Sequence, residues 1–190
     1  MVSFKWNMRY LLGLLGIVGL VIVVVILIVR GLSGDDAVKD AKPLTDYAQT
    51  NAVMRLTVDG PINADKVHQS VRVTVGQSEA KAEILQGYHN TVANTLAYPN
   101  NQQAYGVFLR ALDLLNFNVG SSDPKLSDAR GFCPDGNLYT LEIYEAGSEI
   151  QRYWQTSCGE GSFDGELGKI SDLFEAQIPD YSNFVQDVEL

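Results

Sequence analysis

Two hydrophobic patterns divide the chain. From Leu11 to Val29 all 19 residues are Leu, Ile, Val or Gly. Wound as a helix at about 1.5 Å per residue, such a run measures about 28 Å, close to the hydrocarbon thickness of a bilayer. Arg30 closes it, and Gly31-Leu32-Ser33-Gly34 offers no A-x-A-like cleavage site. The run therefore reads as an uncleaved signal anchor rather than a signal peptide. The expected layout is a short cytoplasmic tail at 1–9, a transmembrane helix at 10–30, a polar linker at 31–46 and a body at 47–190.

Beyond the linker the apolar period becomes two, the spacing of half-buried strands. Met54, Leu56 and Val58 share one face of a strand that ends at Asp59-Gly60-Pro61. Val71, Val73 and Val75 alternate with Arg72 and Thr74, and Ala80, Ala82 and Ile84 alternate with Lys81 and Glu83. Closing the second and third strands around 76–79 sets Val73 against Ala82 and Arg72 against Glu83, an apolar face and a charge-matched one. The spacing of Tyr105, Phe108, Leu109, Leu112 and Leu115 predicts a helix capped by Asn100 or Asn101 and ended by Gly120. A second hairpin, 138–157, turns at Ala146-Gly147. A two-residue turn there sets Tyr139, Leu141 and Ile143 on the face of Ile150, Arg152 and Trp154, with Thr140, Glu142, Gln151 and Tyr153 opposite. Ile170, Leu173, Phe174 and Ile178 predict a last helix stopped by Pro179. The order is β-ββ-α-ββ-α, hence an α+β body: an antiparallel sheet of about five strands with helices packed on one face.

Charge narrows the function. The 190 residues carry a net −9, and residues 43–190 hold 9 basic and 20 acidic side chains, a net −11. A body of this sign is not built to hold phosphate backbones, so no nucleic acid partner is expected. Cys133 and Cys158 flank the second hairpin, where the turn brings their positions together, so the expectation is a disulfide and an oxidising compartment. Lysine and arginine counts on the two sides of the anchor do not set its direction. The cysteine pair does: the amino terminus is cytoplasmic, the lipid bilayer is held through residues 11–29, and the body lies outside the cell membrane.

Candidate chemistry is sparse. His68 and His89 have neither metal-ligand spacing nor a nucleophile motif beside them. The loop Gly159-Glu160-Gly161-Ser162-Phe163-Asp164-Gly165 is not a phosphate fingerprint, and its acids would repel an anion. The two S-x-x-K matches, at 78–81 and 122–125, fall in a turn and a Pro-containing loop. No catalytic, cofactor-binding or metal residue is therefore assigned. Arg152, a cation among Tyr139, Leu141 and Trp154 in the expected register, marks with Trp154 a candidate pocket. Tyr144 and Tyr153, expected on a polar strand face, form a candidate partner surface. The expectation is a non-catalytic binding or assembly module with a protein partner. The alternative is a carboxylate-based glycan hydrolase using a pair such as Glu142 and Glu145, or Glu160 and Asp164.

The strings Cys133-Pro134-Asp135-Gly136, Trp154 to Gly159 and Leu173 to Tyr181, with Leu56 to Ile62 upstream, are similar to singly anchored membrane proteins of Saccharibacteria-type candidate-phylum bacteria. The resemblance implies a bacterial cell-envelope setting and brings no activity, cofactor or functional residue.

Overall fold

The computed structural model describes residues 42–190. The tail, the anchor and most of the linker expected from sequence lie outside the described residues. Among those described, no helix is long and apolar enough to cross a membrane.

The body is α+β, built on one antiparallel sheet. Its strands are β1 (Val53–Asp59), β2 (Gln69–Val75), β3 (Glu79–Gln86), β4 (Thr91–Pro99), β5 (Leu138–Glu145) and β6 (Ser148–Thr156). They lie in the order β4-β3-β2-β1-β5-β6. The sheet thus has six strands, one more than expected, and the addition is the edge strand β4. Little of β4 is buried, with only Leu96 and Tyr98 half-covered, and its pairing with β3 slips between Ile84 and Leu85. Exposure and a bulge together erase the alternation by which a strand is recognised.

One face carries the core. Met54, Leu56, Val73, Val75, Leu141 and Ile143 pack there against Phe108, Leu109 and Leu112 of helix α1 (Gln102–Leu114) and Ile170 and Phe174 of α2 (Leu167–Glu175). Of the two candidate caps for α1, Asn101 accepts the Ala104 N–H at 3.0 Å, while Asn100 donates to Gly76 O at 2.7 Å and ties down the β2–β3 turn. Asn116, at φ 59°, rather than Gly120, ends this helix. The linker is shorter than expected, because Leu44 is wholly buried and Tyr47 nearly so, in a 3-10 turn (Leu44–Gln49) that packs on α1.

The second hairpin carries the main correction. Ala146 and Gly147 have φ of 51° and 82°, as a two-residue turn of type I′ requires, and Glu145 and Tyr144 pair with Ser148 and Glu149 accordingly. A bulge between Ile143 and Tyr144 then shifts the register, so Ile143 pairs with Gln151 and Ile150 is left out. From that point every β6 side chain changes face. Glu142 stands opposite Arg152, Thr140 opposite Trp154 and Leu141 opposite Tyr153. Arg152 and Trp154 therefore belong to the face without helices, and Tyr153 to the core face.

Candidate binding cavity

The segment after α1 folds over the helix-free side of the sheet and is fastened at four points. Ser121 N–H donates to Ser162 O at 2.7 Å, and Trp154 Nε1–H donates to Leu126 O at 2.7 Å. Ile62 N–H donates to Pro134 O at 2.9 Å, and Cys133 is disulfide-bonded to Cys158, with Cα atoms 6.0 Å apart. Local chemistry shapes the strap between these points. Asp123 Oδ1 caps a 3-10 turn (Pro124–Leu126) by accepting from Lys125 N–H at 2.9 Å. Asp128 accepts from Arg130 Nε at 2.6 Å, and this bond holds the exposed carboxyl below its ordinary range. Phe132 packs on the Trp154 indole with centroids 5.2 Å apart.

Between strap and sheet lies a cavity of about 600 Å³. Volumes of this order suit a small molecule or a short peptide segment. Arg152, Trp154 and Cys133 line it, with Phe132 of the strap and Asp59, His68 and Tyr88 on the far wall. The two residues of the candidate pocket thus lie together at a cavity, although the expected register set them among Tyr139 and Leu141.

The far wall holds a pair that sequence reasoning did not single out. His68 is 2% exposed, its Nε2 lies 2.9 Å from Asp59 Oδ1, and its ring stacks on Tyr88 at 4.0 Å between centroids. An ionised Asp59 only accepts, so it sets the imidazole proton on Nε2. Nδ1 is shut from solvent and without a protein partner. Tyr88 is itself anchored, since its hydroxyl donates to Asn63 O at 2.9 Å and its N–H to Asp65 Oδ1 at 2.9 Å. A nine-residue gap between Asp59 and His68 is no motif; the contact arises from the β1–β2 connection.

Tyr144 and Tyr153 do not share a surface. Tyr153 lies half-buried against the core, its ring against Gly120, where a Cβ would come 2.6 Å from two ring carbons. Burial pushes its hydroxyl up. Tyr144 is on the helix-free face, under the Arg55 guanidinium at 4.1 Å from the ring centroid. Its hydroxyl lies 3.4 Å from carboxylate oxygens of both Glu142 and Glu149. Glu142 is mostly buried, and desolvation raises its carboxyl against the pull of Arg55, 3.8 Å away, and of Arg152. Among the described residues, no group of three or more His, Cys, Asp or Glu is placed to hold a metal ion.

Comparison of the chain with protein-family models, with curated proteins and with solved structures returns no match.

Proposed function

We propose that this protein is a membrane-anchored, extracytoplasmic binding or assembly module of a bacterial cell envelope. Residues 11–29 hold it to the lipid bilayer, the body works outside, and the strap cavity is its seat for a partner. The observation that carries this reading is the disulfide-pinned strap. The Cys133–Cys158 bond suits an oxidising compartment, and it sustains a cavity of about 600 Å³ whose wall combines Trp154, Phe132 and Tyr88 with Arg152. Aromatic rings set among charged and polar side chains suit recognition, and no reaction needs to be invoked.

The test uses the full chain in intact cells. An impermeant protease should digest residues 47–190 from outside, and a photo-crosslinking amino acid at Arg130, on the cavity lining, should give an adduct of discrete mass. Full protection of the body until lysis would overturn the topology. Accessibility without any Arg130 adduct would overturn the role of the cavity.

A further inference from the structure

The two edges of the sheet are treated differently. Along the second half of β6, residues 160–163 cover the outer side: Thr156 N–H donates to Glu160 O at 2.8 Å and Ser162 N–H to Trp154 O at 2.8 Å. The first half of β6 carries Glu149 and Arg152. At the other end, no strand of the described chain lies beyond β4. Residues 91–95 and 97 are exposed, Val92 at 49%, and Thr91 to Tyr98 contain no charge and no proline. Thr95 N–H turns to the Asn94 side chain at 2.9 Å. Natural sheets blunt a free edge with lysine, proline, a short strand or a cover, because unpaired N–H and C=O groups recruit another strand. Here the strand runs for 9 residues, its one proline is the last of them, Pro99, and the stretch Thr91 to Tyr98 has none of these on its outer side beyond the Asn94 contact.

The geometry points to β4 as an interface between two copies of this chain, paired antiparallel into one continuous sheet. Three observations favour a second copy over a foreign strand. Each copy of the body carries −11, so most surfaces repel their own kind, whereas β4 is uncharged and meets itself without a like-charge clash. Among the described residues the β4 edge is the barer one, and pairing it with itself gives a closed two-fold dimer; an open fibre would also need the β6 edge, which is covered along its second half and charged along its first. Finally, an antiparallel pairing centred on Thr95 sets threonine against threonine and leaves the half-buried Leu96 and Tyr98 on the core side in both copies.

The experiment places single cysteines in the full chain, whose native cysteines are already bonded to each other. With a short bismaleimide, Thr95→Cys should give a homodimer band that wild type and Glu149→Cys, on the opposite edge, do not. Thr95→Lys should abolish the dimer in light scattering of the purified full chain while circular dichroism stays native, since the side chain is exposed; melting temperature should fall only by what association contributed. A monomer in both assays would overturn the inference. So would an equal band from Glu149→Cys, an adduct whose mass is not twice that of the chain, or a dimer indifferent to Thr95→Lys.

Discussion

Trp154 donates its indole N–H to the carbonyl of Leu126 at 2.7 Å, and this one bond joins the sheet to the middle of the strap. Trp154 is buried and Leu126 half-buried, so deleting the donor leaves a partly shielded carbonyl without its partner, at a cost of about 1 kcal/mol. Trp154→Phe should lose about that much in urea unfolding, and hydrogen exchange at residues 121–132 should rise. Unaltered exchange there would mean that the strap is held without this bond.

The disulfide closes a loop with a sequence separation of 25. In the chain-entropy picture such a cross-link stabilises by roughly 3.5 kcal/mol, mainly through the unfolded chain. Cys133→Ser with Cys158→Ser should therefore lower the melting temperature by on the order of 10 °C in a body of this size. Circular dichroism at room temperature should stay the same, because the hydrophobic core lies on the other face of the sheet. Free thiols titrating in the native protein would contradict the bond.

How much of this was legible in the sequence depends on where packing is regular. Val71-Val73-Val75 against Ala80-Ala82 paired as alternation predicted, and Arg72 does stand opposite Glu83. The cysteines could be paired because a hairpin turn brings distant positions together whichever face the strands present. Arg152 and Trp154 stand out in the sequence as a candidate pocket, but the face on which the cavity lies could not be read. It depends on a single bulge after Ile143, and nothing in Leu-Glu-Ile-Tyr-Glu-Ala-Gly-Ser-Glu-Ile announces one. That one residue turned Tyr153 inward and sent Arg152 and Trp154 to the helix-free face. β4 was missed for a related reason: a strand that buries little carries little pattern.

The inversion makes the two tyrosines unequal. Tyr153→Ser removes a ring packed on Gly120 and the core and should cost about 2 kcal/mol, less than the full cost of emptying a wholly buried aromatic site. Tyr144→Ser forfeits the Arg55 stack and two long hydroxyl contacts and should cost about 1 kcal/mol or less. Chemical unfolding of the two variants side by side decides. Equal losses would show that both residues occupy one environment.

Glu142 should give stability an acid-favouring slope. Burial raises its carboxyl in the folded state above the ordinary value, so between the two values the native protein holds a proton that the unfolded chain has lost. Stability then falls as pH rises through that window, the opposite of a carboxylate whose ion pair outweighs its desolvation. The favourable contribution is complete below the unfolded carboxyl value and is lost above the folded one. Glu142→Gln cannot titrate and lacks this slope. It also releases Arg55 and Arg152, but guanidinium groups stay charged throughout, so that cost is an offset independent of pH. Urea midpoints of wild type and Glu142→Gln, measured from about pH 4 to about pH 7, should show the variant gaining on wild type as pH rises. A variant that instead loses ground with rising pH would mean that Arg55 and Arg152 outweigh desolvation at this site.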